Sequence, residues 1–174
     1  MQGKIFILTG DPGEGKTTAL QQWIDKNNIR AHGVLMPVID GERHFLNPYM
    51  DVNVSAEASP EVKNPDNIHE VGPYKFSIKA FKVARSWLRI KPPLNADYFI
   101  VDEIGPLELR GEGLEPELSS VVKSAVSGEL PHKLVLVIRE SILSDAIKHY
   151  KLDGSQIVKK EDLNRLVDPP VEED

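Results

Sequence analysis

Three short apolar runs punctuate the chain at wide intervals. Residues 4–8 read Lys-Ile-Phe-Ile-Leu, residues 96–101 Ala-Asp-Tyr-Phe-Ile-Val, and residues 133–138 Lys-Leu-Val-Leu-Val-Ile. Each is too short for a helix and lacks polar alternation, as expected of a strand buried on both faces. Between them, apolar residues recur at helical spacing. Leu20, Trp23 and Ile24 share one face, closed by Asn27-Asn28. Phe76, Ala80, Val83, Ala84, Trp87 and Leu88 share another, with Ser77 as an N-cap and Pro92-Pro93 as a stop. Leu118, Val121, Val122, Ala125 and Val126 lie between Pro116 and Gly128, which suit a helix start and end. Ile142, Leu143, Ala146, Ile147 and Tyr150 follow Ser141, a further candidate cap. Residues 155–158 read as a last short strand and residues 161–166 as a last helix.

Strands alternating with helices predict an α/β fold, with a mostly parallel sheet covered by helices on both faces. Residues 33–39 read as an additional strand. Asp40-Gly41 is a hairpin turn signal, and residues 43–46 bring the chain back, giving an added β-hairpin outside the main sheet. Residues 47–73 hold Pro48, Pro60, Pro65 and Pro73 and little periodicity, and read as either a flap or an extended edge segment. Trp23 and Trp87 read as core.

The chemistry begins where the first apolar run ends. Gly10-Asp11-Pro12-Gly13-Glu14-Gly15-Lys16-Thr17-Thr18 has the spacing of a P-loop, or Walker A motif. Its glycines let the backbone curl so that N–H groups converge on phosphate oxygens. Lys16 is placed to reach the β- and γ-phosphates and Thr17 to ligate Mg²⁺, while the following helix presents its positive end. The side chains of Asp11 and Glu14 are expected to face solvent, since two acids do not help to bind a polyanion.

The second apolar run ends Ile100-Val101-Asp102-Glu103, in the manner of a Walker B strand. Asp102 is expected to hold Mg²⁺ opposite Thr17, and Glu103 to polarise a water for attack on the γ-phosphate. Parallel topology brings the P-loop, Asp102-Glu103 and Arg139 to one sheet edge, because each follows a strand. Arg139 is read either as an arginine finger or sensor for the γ-phosphate, or as an ordinary surface residue paired with Glu140. Glu108 either orders its loop or a water, or is a solvated loop acid. The five histidines show no metal-ligand spacing and read as surface residues.

Gly10 to Thr18, with Asp102-Glu103-Ile104-Gly105 and the later Glu108-Leu109, resembles the small P-loop nucleoside-triphosphatase family found in bacteria and archaea, which has a human cancer-related relative. Gly33-Val34 and Val71-Gly72-Pro73-Tyr74 are further points of likeness. The resemblance implies a RecA-like fold and Mg²⁺-dependent hydrolysis of nucleoside triphosphates with several bases. It implies that Gly10, Asp11, Pro12, Gly13, Glu14, Gly15, Lys16, Thr17 and Thr18 bind the triphosphate, and that Ile100, Val101, Asp102 and Glu103 form the second nucleotide-contacting strand. The chain departs from the family at Pro106 and Pro73, where basic residues are usual, and Asn164-Arg165 matches a family Asn-Arg pair only with a small shift.

Composition narrows the alternatives. A chain of 174 residues is expected to form one domain, residues 1–167, followed by a solvated acidic stretch over residues 168–174. A net charge of -6 argues against broad nucleic-acid binding, and the absence of cysteine excludes a disulfide scaffold or thiolate metal site. With the P-loop strand so near Met1 there is no room for a leader ahead of it, and no apolar run spans a bilayer, so a cytoplasmic protein is expected. Oligomeric state, base preference and pathway stay open. So do two other functions: a P-loop kinase transferring the γ-phosphate to a small acceptor, and a nucleotide-binding switch or assembly module.

Overall fold

The computed structural model describes residues 4–167; the expected acidic stretch at residues 168–174 lies outside them. The first apolar run forms β1 (Ile5–Gly10), and α1 (Lys16–Lys26) follows the P-loop. Next come β2 (Ala31–Val34), β3 (Val38–Ile39), β4 (Glu42–Asn47) and β5 (Val52–Ser55). A 3-10 turn at Pro65–Asn67 precedes β6 (Ile68–Val71) and β7 (Tyr74–Ser77). Then follow α2 (Ile78–Arg89), β8 (Tyr98–Ile104), α3 (Pro106–Leu109), α4 (Glu117–Val126), β9 (Lys133–Arg139), α5 (Leu143–Tyr150) and β10 (Gln156–Val158). A 3-10 segment, Lys160–Leu166, stands where the last helix is expected.

β10, β1, β9, β8 and β2 lie side by side in that order, all parallel. Successive residues of these strands feed two cores, which is why the runs are apolar throughout. Ile7, Phe99, Val101, Leu134 and Leu136 pack with α2, α4 and α5. Phe6, Leu8, Ile100, Val135 and Val137 pack on the other face with Leu20 and Trp23 of α1 and with Leu163 and Leu166. Both tryptophans are core residues, as expected. β2 lies so close to β8 that a Cβ on Gly33 would sit 2.1 Å from the Ile100 carbonyl oxygen, so only glycine fits there.

Two antiparallel pieces are added. β3, β4 and β5 form a three-stranded sheet, and β6–β7 a hairpin. The Asp40-Gly41 turn is as the sequence predicts: both residues have positive φ, 51° and 83°, as a type I′ turn demands. The single strand expected over residues 33–39 is instead broken at residues 35–37. The proline-punctuated segment is neither a bare flap nor one edge strand, since it supplies β5 and β6. Ser77 caps α2 by accepting from Ala80 N at 3.2 Å. Ser141 caps nothing; residues Glu140–Ile142 first form a 3-10 turn, and α5 starts without a side-chain cap.

Candidate functional site

The strand order separates β1 from β8 by β9, so the end of each contributes to one edge. The P-loop leaves β1 at Gly10 and enters α1 through Gly15, whose φ of 79° is the left-handed conformation that favours glycine. Lys16 is buried. Its ammonium donates to the Gly10 carbonyl at 3.2 Å and the Asp11 carbonyl at 2.8 Å, arching back over the loop. Asp11 and Glu14 are exposed, as expected, although the Glu14 carboxylate leans back over Gly10, with Oε2 2.2 Å from where a Cβ would stand.

β8 does not stop at the acids but runs through them. Its pairing with β9 slips there: Val101 faces Leu136 while Ile104 faces Ile138, so two residues on β8 stand against one on β9. This bulge re-aims the intervening Asp102 and Glu103. Asp102 is 1% exposed. Its Oδ2 accepts from Thr17 Oγ1 at 2.6 Å and from Met36 N at 3.1 Å. Its Oδ1 has no hydrogen-bond partner among the described residues. Burial first, and the neighbouring Glu103 charge second, push the Asp102 carboxyl up to about 6, against the pull of Thr17, Met36 N and Lys16.

Glu103 is held by Arg139. The guanidinium approaches Glu103 Oε1 through both Nε and Nη2, each at 3.3 Å. Arg139 reaches this place because it pairs with Gly10 across β1 and β9. The expectation that Arg139 pairs with Glu140 fails, because Glu140 is taken by Lys159. A small cavity of about 30 Å³ lies beside the two acids, walled by Met36, Phe45, Phe76 and Phe81 and by Glu108 and Arg139. The antiparallel additions thus roof the end of β8.

Glu108 is a buried residue, not a solvated loop acid. It accepts from Gly105 N at 2.9 Å and Leu114 N at 3.2 Å and closes the loop that follows β8. Burial pushes its carboxyl up to about 7 despite these donors. A neighbouring buried acid, Glu115, is invisible in the sequence reading; Tyr150 and Ser119 donate to it at 2.6 and 2.9 Å. Burial and this carboxylate push the Tyr150 hydroxyl upward. His32 and His132 correct another expectation. Both are buried, each facing a backbone carbonyl of the α2 region, Trp87 at 3.2 Å and Pro93 at 3.0 Å. No cluster of three or more His, Asp or Glu suited to a metal occurs among the described residues. Arg165, of the displaced Asn-Arg pair, binds Asp162 at 3.2 Å.

Strand order, glycine loop and acid-tipped neighbouring strand define the class: a P-loop NTPase fold, α/β with a parallel core. A family model described simply as NTPase matches residues 5–167, and the chain belongs to that family. The crystal structure of THEP1 from the hyperthermophile Aquifex aeolicus superposes with a TM-score of 0.67 over 94% of this chain and 96% of that one, at 19% identity, and shows the shared fold. No curated protein matches. Family membership supports a nucleoside-triphosphatase-like function, and no helix among the described residues is long and apolar enough to cross a membrane.

Proposed function

We propose that the protein is a Mg²⁺-dependent nucleoside-triphosphatase that hydrolyses ATP, GTP and other nucleoside triphosphates to the diphosphate and phosphate. The placement of Glu103 carries this reading. It is a carboxylate next to Asp102, held by Arg139 and bordering a small cavity. In this reading the loop from Gly10 to Thr18 wraps the phosphates with its backbone N–H groups. Lys16 turns from the loop carbonyls to the β- and γ-oxygens. Glu103 accepts a proton from the attacking water and aims its lone pair at the γ-phosphorus.

The residues also fit the metal. Thr17 Oγ1 and Asp102 offer hard oxygen donors, and the unpartnered Oδ1 of Asp102 is the kind of buried atom that a cation satisfies. Bound there, Mg²⁺ would neutralise the charge that builds on the phosphate oxygens. Arg139, partly buried and paired with Glu103, orients the carboxylate and adds positive charge at the γ end.

The carboxylate of Glu103 beside Asp102 favours water over a kinase acceptor, because a kinase gains nothing from activating the competing nucleophile. Phosphate release from ATP, GTP and CTP, measured with Mg²⁺ and with EDTA, tests the proposal. Metal-dependent release from all three is expected. Nucleotide binding without release would favour the switch module, and transfer to an added acceptor would favour the kinase.

A further inference from the structure

Residues 71–96 hold six cationic side chains, Lys75, Lys79, Lys82, Arg85, Arg89 and Lys91, and no acid, in a chain whose net charge is -6. α2 turns Ala80, Phe81, Ala84, Trp87 and Leu88 into the core. At about 3.6 residues per turn, Lys79, Lys82, Ser86, Arg89 and Ile90 share the outward side. This side is not built like an ordinary solvated helix face. Lys79 stands in a first turn that holds no acid, so its charge opposes the helix dipole. Lys79, Lys82, Arg85 and Arg89 follow at helical spacing with no acid among them, so like charges repel where an acid would stabilise the helix.

Lys79, Lys82 and Lys91 have no ion-pair partner among the described residues. Two bordering acids are already taken, Glu117 by Arg85 and Arg89 at 3.5 and 2.9 Å and Asp97 by Arg30 at 2.9 Å. Acids on remote faces are screened over about 10 Å, so the negative net charge does not cancel the stripe. The same segment exposes apolar side chains. Ile90, 43% exposed, continues the outward line past the helix end. Leu94, 86% exposed, stands at the tip of the turn in which Ala96 N donates to the Pro93 carbonyl at 2.9 Å. Cations alone suit any polyanion. Cations beside exposed aliphatic side chains suit the boundary between the headgroups and acyl chains of a bilayer.

We infer that α2 and the turn after it form a peripheral docking surface for an anionic bilayer. Lys79, Lys82, Arg89 and Lys91 meet the lipid phosphates, and Ile90 and Leu94 enter the acyl boundary. The inner side of the same helix presents Phe81 to the cavity beside Glu103, so the bilayer lies behind one wall of the candidate site.

Co-sedimentation of the full chain with vesicles of equal parts phosphatidylcholine and phosphatidylglycerol tests this, and is independent of whether nucleoside triphosphates are hydrolysed. Binding is expected to be at least about tenfold weaker to phosphatidylcholine alone, and to weaken with salt. Lys79→Glu with Lys82→Glu should lower binding by at least about tenfold, because each cation near the surface counts about fivefold. That variant should be at least as stable as wild type on chemical denaturation, since it places an acid in the first turn of α2. Leu94→Ser should lower binding by about fivefold. Lys26→Glu with Lys151→Glu, which makes the same charge change elsewhere, should stay within about threefold of wild type. A wild type that ignores anionic vesicles, or binds both kinds equally, would overturn the inference. So would an unchanged Leu94→Ser, or an equal loss in the Lys26 and Lys151 variant. Displacement from the vesicles by a DNA duplex at equal phosphate concentration would assign the stripe to nucleic acid instead.

Discussion

The two flanks of the P-loop are built differently. On the β8–β9 side, Asp102 is 1% exposed and Lys16 6%, and aromatic residues wall the cavity. On the β10 side, the charged groups are exposed or partly so: Lys159 pairs with Glu140, and Lys160 donates to the backbone carbonyl of Glu14. Charge interactions on the dry side act at low dielectric and hold fixed positions, which suits bond breaking. Those on the wet side are screened by solvent and count for less. The same loop thus joins a buried end to a solvent-exposed one.

Substitutions on the dry side should move turnover far more than those on the wet side move affinity. Asp102→Asn is the most severe of the next three tests. It should lower Mg²⁺-dependent turnover by about 100-fold or more, since it removes the charge the cation needs. It should also leave the nucleotide-free protein at least as stable as wild type at pH 8, because burial disfavours the ionised Asp102. A large loss of stability on chemical denaturation at that pH would break the contrast by making Asp102 a structural residue. Arg139→Ala should lower kcat by about tenfold with little change in nucleotide affinity. An affinity loss with unchanged kcat would move Arg139 to ground-state binding.

Glu108 gives the most specific effect, a pH slope. Its folded carboxyl titrates near 7, above the usual range, so the folded state binds the proton more tightly than the unfolded chain. The neutral form supports the fold, and that support is complete below the unfolded value and declines as pH rises towards 7. Denaturation of the wild type should therefore show a loss on the order of 3 kcal/mol from this group across that window. Glu108→Gln should flatten the slope. An unchanged slope would show that Glu108 is not the group responsible.

The parallel core was legible because its strands are apolar on both faces. β1, β8 and β9 are runs of buried residues that no other element explains. The P-loop was legible for a related reason: its backbone needs glycine at fixed places, and sequence records glycine directly. The antiparallel layer was harder. β5 has no fully buried position, β3 is two residues long, and the 3-10 turn before β6 begins at a proline, so neither period nor run length marks them. Polar burial was hidden altogether. Nothing in the spelling of Glu108, Glu115, His32 or His132 announces a buried partner, because the donor or acceptor comes from elsewhere in the fold. The Glu103–Arg139 pair belongs to the same class. Topology brings both residues to one edge, but only side-chain geometry shows that Arg139 chooses Glu103 over its neighbour Glu140.

In this account Glu103 activates water while the P-loop holds the nucleotide. The most direct test compares Glu103→Gln with wild type in two readings on the same preparation, single-turnover phosphate release and nucleotide affinity. The account predicts that release falls by about 100-fold to 1000-fold while affinity stays within about threefold. Release at the wild-type rate would contradict the account and remove Glu103 from the chemistry.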